Sequence, residues 1–210
     1  MKEKENIRFW DTSTLTETEH IRNRCDSSFL EEQLKGKFPD ENIRVTSVRV
    51  NETGLYKSRV NLIIRLLGGP STIKGLPPYC EVQLVHQTGK FSEIITVWSP
   101  LAWNDRFAGT AGGGTSTGGT QYITAPNNTV RGWTLPFALI NGFTAATVDA
   151  GNVIGRHDLA IDPVTRELND DLIENWRARA THFMTMIGKT VAEILHQRPV
   201  LYAYMNGGSG

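Results

Sequence analysis

The stretch Val200-Leu201-Tyr202-Ala203-Tyr204-Met205-Asn206-Gly207-Gly208-Ser209-Gly210 decides how the rest of the chain is read. An apolar run of strand character meets Gly207-Gly208-Ser209-Gly210, which fills four of the five positions of G-x-S-x-G. In that pattern a buried strand turns sharply into a helix, and the serine at the apex exposes its hydroxyl above the sheet. Glycines flank it because the turn forces the serine into an unfavourable backbone region, and a neighbouring Cβ would collide with the adjoining strand and helix. The same four residues also suit a flexible linker. The sequence ahead of them favours the turn.

Ahead of that strand lies the clearest periodic segment. It begins near Asp170-Asp171, whose carboxylates suit a helix N-terminus. Leu172, Ile173, Trp176, Ala180, Phe183, Ile187, Val191, Ile194 and Leu195 then recur at spacings of three and four. The spacing predicts a helix of roughly 25 residues that ends before Pro199. Earlier still, Phe143–Val148 is a short β-favouring run after Asn141-Gly142, and Asp149 opens a polar connection as a turn former. A strand, a helix and a strand in this order predict an α/β protein whose later part is a parallel sheet.

The first hundred residues read differently. Residues 15–36 carry Phe29, Leu30 and Leu34 at helical spacing, with Gly36 as a stop. Strand-like stretches follow at 43–50 and 58–67, broken by Gly68-Gly69-Pro70. Residues 79–85 and 92–99 alternate apolar with polar side chains, as half-exposed strands at a sheet edge do. Residues 104–134 read as loop.

Lys plus Arg and Asp plus Glu each number 22, so the formal net charge is zero. That balance argues against a nucleic-acid backbone or an anionic membrane as partner. No apolar run approaches the ~18 residues of a membrane span, and the charged N-terminus is no secretory signal. Two cysteines, Cys25 and Cys80, lack the close pairing of a zinc or redox site. They read either as small buried residues or as a disulfide, which would imply an oxidising compartment. Asn51-Glu52-Thr53 and Asn127-Asn128-Thr129 are glycosylation sequons.

A second glycine cluster runs from Gly109 through Gly112-Gly113-Gly114 to Gly118-Gly119. A loop stripped of side chains presents backbone N–H groups to an anion, either a phosphate or the oxyanion of acyl transfer. A flexible surface loop has the same composition. The dinucleotide pattern G-x-G-x-x-G fails here, because Thr117 stands at its last position. Gly188-Lys189-Thr190 lacks the upstream glycine of a P-loop and falls mid-helix, which counts against nucleotide binding. All five histidines (His20, His86, His157, His182, His196) precede Ser209. In the chain order Ser, Asp or Glu, His, none can be the base, and His182 beside the apolar stripe reads as structural.

Taken together, these segments resemble the tannase and feruloyl esterase family of α/β-hydrolases. The matching pieces are Trp103-Asn104-Asp105-Arg106-Phe107-Ala108-Gly109 into Gly112-Gly113-Gly114, then 142–151 from Gly142-Phe143 to Val148-Asp149-Ala150-Gly151. Asn175, Arg179-Ala180-Thr181-His182, Gly188-Lys189 and Tyr202 to Gly210 follow in order, with Leu76-Pro77-Pro78-Tyr79-Cys80 and Cys25 upstream. The resemblance implies a partial α/β-hydrolase fold over residues 1–210. Residues 1–100 would be a strand-rich part, and 101–210 would run from the oxyanion loop to the nucleophile elbow. It further implies a serine esterase acting on small aromatic esters of phenolic acids, with Ser209 as nucleophile. Backbone N–H groups of Gly210 and of Gly113 or Gly114 would form the oxyanion hole.

The resemblance also pairs Cys25 with Cys80, hints at secretion, and places a calcium in a lid domain that these 210 residues do not include. It implies no cofactor within them. Gly208 departs from the family, which has there a cysteine bonded beside the catalytic histidine. The catalytic Asp and His have no counterpart among these residues, so the chain alone is expected to be inactive, and its sheet to keep an unpaired edge. The alternative is a non-catalytic remnant or anion-binding module of the same fold.

Overall fold

The structure, a computed structural model, describes residues 9–57, 72–88, 91–111, 134–151, 160–162 and 164–207. A short helix α1 (Ile21–Arg24) and helix α2 (Ser27–Lys37) precede strand β1 (Asn42–Asn51). Strands β2 (Leu55–Lys57), β3 (Thr72–Lys74), β4 (Tyr79–Thr88), β5 (Phe91–Pro100) and β6 (Arg106–Thr110) follow. Helix α3 (Leu135–Ile140) leads into β7 (Thr144–Val148). A long helical segment comes next: α4 (Asp170–Glu174), a π turn (Asn175–Arg179) and α5 (Ala180–His196), and β8 (Tyr202–Asn206) comes last.

Six strands form one sheet in the order β1-β4-β5-β7-β6-β8, while β2 and β3 pair separately. From β1 to β7 neighbours are antiparallel. β7, β6 and β8 run parallel. The expected parallel later part is therefore present, grafted onto an antiparallel meander.

Alternation along the strands sends successive side chains to opposite faces. Ile95, Val97, Phe107, Ala146 and Val148 join α2 and α5 in one apolar cluster. Trp98, Ala108 and Ala145 join α3 and Phe143 in another. Helices thus cover both faces of the central strands, the layered solution that a parallel sheet requires. α5 lies close on the sheet because Gly188 has no side chain. A Cβ there would sit 2.8 Å from Ala146 Cβ and 2.8 Å from Phe107 Cε2.

Several expectations are corrected. The helix over 15–36 is two helices, because Asp26 caps a fresh start by accepting from Phe29 N at 2.9 Å. Gly36 does not stop α2, which runs to Lys37. β4 and β5 are interior strands and not an edge; β5 is buried along most of its length. Its polar positions are tolerated because Glu93 and Ser99 are hydrogen-bonded inside. The loop over 104–134 contains β6, whose glycine hides its strand character. Gly109 faces Met205 across the β6–β8 pair, and a Cβ would lie 2.7 Å from the Met205 sulfur.

The strand at 58–67 lies outside the described residues, as do 112–133. The long helix starts and ends where its sequence predicts, with Asn169 as its cap. Of its predicted stripe, Ala180, Ile187, Val191 and Leu195 are buried, joined by Met184 and Gly188; Phe183 and Ile194 are half-buried. Leu172, Ile173 and Trp176 are only half-buried, because the π turn between them and α5 shifts the register.

Candidate active site

Two glycine-bearing segments leave the sheet from the same end. β6 and β8 are adjacent and parallel, so their carboxyl ends coincide: Thr110 pairs with Asn206, and Ala111 N donates to Asn206 O at 2.9 Å. The chain then enters 112–114 from β6 and 207–210 from β8. Gly207 and Ala111 are in close approach, since a Cβ on Gly207 would meet the Ala111 Cβ at 3.3 Å. Thr110 Oγ1, buried, donates to Ala146 O at 3.1 Å and ties the end of β6 to β7. In open α/β sheets, ligands bind outside the carboxyl ends of parallel strands. Ser209, Gly210, Gly113 and Gly114 themselves lie outside the described residues.

β8 departs from the buried strand its sequence suggests. Tyr202 is 55% exposed and Met205 50%, and among the described residues β6 is its one partner strand. Apolar sequence alone does not say which neighbour covers it.

At the opposite end of β6 the Trp103–Gly109 motif is a structural knot. Trp103 Nε1 donates to Arg106 O at 2.8 Å, and the indole stacks on His196 with ring centroids 4.5 Å apart. Asp105 has a left-handed backbone (φ 60°), and its carbonyl accepts from Leu201 N at 2.9 Å, which sets the entry of β8. Its carboxylate pairs with Arg198 at 3.0 Å. The motif thus aligns β8 on β6 at the end opposite Thr110 and Asn206.

Asp149, at the carboxyl end of β7, acts as a turn former. Its Oδ1 accepts from Ile94 N at 2.9 Å and Gly151 N at 3.1 Å. Burial raises its pKa, and the backbone donors oppose that shift.

His182 is exposed, with its ring edge on Phe183, and is not the satisfied core histidine its position suggests. That role belongs to His196 and His86. His196 Nδ1 lies 2.8 Å from Thr18 Oγ1 and its Nε2 lies 2.8 Å from Ser99 Oγ. Burial first, then Arg198 and Arg24, lower its pKa to about 3, so it stays neutral. The Ser99–His196 pair has the spacing of a nucleophile and base, yet both residues are sealed inside the protein. His86 sits between two carboxylates, a cluster the sequence reading missed; its signal was the pairing of two polar positions within apolar strands.

Cys25 and Cys80 form the disulfide, with Cα atoms 5.9 Å apart. Asn51 of the first sequon is buried; its Nδ2 donates to Leu55 O and Tyr79 Oη at 3.0 Å each. Among the described residues no group of three or more His, Cys, Asp or Glu side chains is placed to hold a metal ion. No described helix is long and apolar enough to cross a membrane.

The profile of the family described as "Tannase and feruloyl esterase" matches residues 80–210. The chain belongs to the tannase and feruloyl esterase family. It is 32% identical over 133 residues to the "Probable feruloyl esterase" of Arthroderma benhamiae, covering 61% of this chain and 23% of that protein. It is 28% identical over 131 residues to the "Probable feruloyl esterase B-2" of Aspergillus flavus, covering 62% and 22%.

Solved structures agree on the fold. An esterase from Aspergillus oryzae superposes with a TM-score of 0.66 at 16% identity, over 88% of this chain and 32% of that one. Feruloyl esterase B from Aspergillus oryzae gives 0.63 at 20% identity over the same shares. The tannin acyl hydrolase from Aspergillus niger gives 0.58 at 18%, over 92% and 33%. This chain therefore spans under a quarter of the length of its tannase-family sequence relatives.

Proposed function

We propose that these residues supply the nucleophile and the oxyanion donors of a carboxylic ester hydrolase acting on phenolic-acid esters. What supports this reading is family membership over 80–210 together with the shared carboxyl ends of β6 and β8. Segments 112–114 and 207–210 follow neighbouring parallel strands at their shared carboxyl ends, which supports a role for both at one ester carbonyl. The Ser209 hydroxyl attacks the ester carbonyl carbon, and its proton passes through a base to the departing alcohol. The acyl-enzyme is then hydrolysed by water, which regenerates Ser209. Backbone N–H groups of Gly210 and of Gly113 or Gly114 stabilise the oxyanion, a contribution of about 3 kcal/mol per donor. Among the described residues His86 and His196 are committed elsewhere, and no described histidine follows Ser209 in the chain order of this fold. The Cys25–Cys80 disulfide supports an oxidising compartment and export.

The test uses the protein expressed from its complete reading frame, assayed on methyl ferulate, methyl gallate and p-nitrophenyl acetate. Ser209→Ala is expected to lower kcat by at least about a thousandfold with the fold intact by circular dichroism. Retained turnover in Ser209→Ala sinks the assignment. So does absence of ester turnover in the parent, which favours an anion-binding module. The 210-residue polypeptide alone is expected to show no Ser209-dependent turnover.

A further inference from the structure

A buried polar chain joins four parts of the fold that the esterase reading does not use. His86 in β4 and Glu93 in β5 face each other as a cross-strand pair, and neither side chain reaches solvent. His86 Nδ1 lies 2.9 Å from Glu93 Oε1. Its Nε2 lies 2.9 Å from Oε2 of Glu41, in the connection between α2 and β1. Glu93 Oε2 accepts from Asn175 Nδ2 at 2.9 Å, and the same amide donates to Ala150 O at 3.2 Å, in the turn after β7. Asn175 opens the π turn, a widened turn of the kind that recurs at functional positions in helices. Farther along the helix, the Phe183 ring packs on the imidazole with centroids 4.4 Å apart.

With both carboxylates ionised, the two contacts of the imidazole fix its proton count. A neutral imidazole has one N–H and one lone pair. In either tautomer, one carboxylate oxygen would then face a lone pair at 2.9 Å, a repulsive contact that solvent cannot relieve at Glu93 and only partly reaches at Glu41. The imidazolium donates to both carboxylates, as charge-assisted bonds, and a cation also suits the Phe183 face. The geometry points to His86 as a buried imidazolium clamp that holds the α2–β1 connection, the β4–β5 hairpin, the turn after β7 and the π turn together, and that loosens when its proton leaves.

The surrounding charges agree with this assignment. Burial pushes the imidazole down, but the Glu93 and Glu41 carboxylates outweigh it and hold the ring above its ordinary 6.5. Asp149 adds a further carboxylate that interacts with Glu93. Ile43 lies opposite His86 on β1, and His182, next to Phe183, is exposed. Because the folded value is raised, the clamp is fully engaged at pH below the ordinary midpoint and is lost as pH rises through the folded one. Its release frees the start of the long helix and the 149–151 turn, whose strand lies beside β6 at the carboxyl end of the parallel sheet.

Nitrogen-15 histidine spectra of the intact protein test this directly. At about pH 7.5 an imidazole with an ordinary midpoint is about nine-tenths neutral, whereas His86 is expected to carry protons on both ring nitrogens. Glu41→Gln, at the more exposed end of the chain, is expected to lower the His86 midpoint and leave His196 neutral. Amide exchange at 149–151 and 171–179 is expected to rise faster than first order in hydroxide through that midpoint, and to do so at lower pH in Glu41→Gln. A bare ring nitrogen on His86 near neutral pH overturns the proposal, as does exchange that tracks hydroxide alone. Both readings on the parent protein stand even if Glu41→Gln fails to fold, and neither depends on ester hydrolysis.

Discussion

Acidifying the protein from neutral pH tests the other buried histidine. His196 is neutral in the fold, with its pKa lowered from 6.5 to about 3 by burial and by the nearby Arg198 and Arg24. In the unfolded chain it titrates normally, so below 6.5 the unfolded state takes up a proton that the folded state refuses. Stability contributed by neutral His196 is present above 6.5 and is lost as pH falls towards 3. At 1.36 kcal/mol per unit, the loss from this one side chain is about 2 kcal/mol at pH 5 and about 3 kcal/mol at pH 4. That is a large fraction of a typical domain's stability of about 5–15 kcal/mol. Carboxylates add their own acid sensitivity, so the informative quantity is the difference between the parent and His196→Gln. Gln can still hydrogen-bond Ser99 or Thr18 but cannot titrate. Urea unfolding at a series of pH values should show a variant weaker at pH 7, with a visibly flatter decline from 6.5 to 4. Equal slopes for parent and variant would refute the reasoning.

Gly188→Ala adds a methyl where Ala146 Cβ and Phe107 Cε2 are each 2.8 Å away. Overpacking costs about 1–3 kcal/mol and exceeds the gain of up to about 1 kcal/mol in helix propensity, so a lower Tm is expected. Removing the Cys25–Cys80 bridge, which spans 55 positions, should cost about 4 kcal/mol on the loop-entropy scale. Denaturant midpoints of the Cys25→Ser, Cys80→Ser double variant check that. Asn51→Ala strips the buried Tyr79 hydroxyl of its donor and removes one of two donors to Leu55 O, with an expected loss of about 1–3 kcal/mol by thermal unfolding.

Legibility followed the physics of each segment. The ends of the long helix were legible because Asp170, Asp171 and Pro199 act locally, at the backbone. Its buried face was legible in α5, at Ala180, Ile187, Val191 and Leu195, but not ahead of the π turn, where Leu172, Ile173 and Trp176 stay half-buried. Strand β6 was unreadable as a strand: Gly109 has poor β propensity, and its reason is a methionine nearly a hundred positions away. Edge and centre were confused for β4 and β5, since Glu93, Ser99 and His86 look solvent-facing until their partners are known. The family was legible as motif order, because glycines at a close approach leave a sequence trace; Ser209, Gly210, Gly113 and Gly114 lie outside the described residues. The His86 and His196 networks left none, as each joins residues far apart along the chain.

The parallel half of the sheet also dictates an order of assembly. β1, β4 and β5 form an antiparallel meander whose β4–β5 hairpin is short in sequence and can close as soon as it leaves the ribosome. β6 has no such local partner. It sits between β7, reached by a connection through α3, and β8, which follows the whole long helix. Its two hydrogen-bonding edges are therefore satisfied last and from far along the chain, where loop closure slows pairing. During synthesis the nascent protein carries a finished meander and an unfinished parallel seam, and that seam is the segment a chaperone would have to shield.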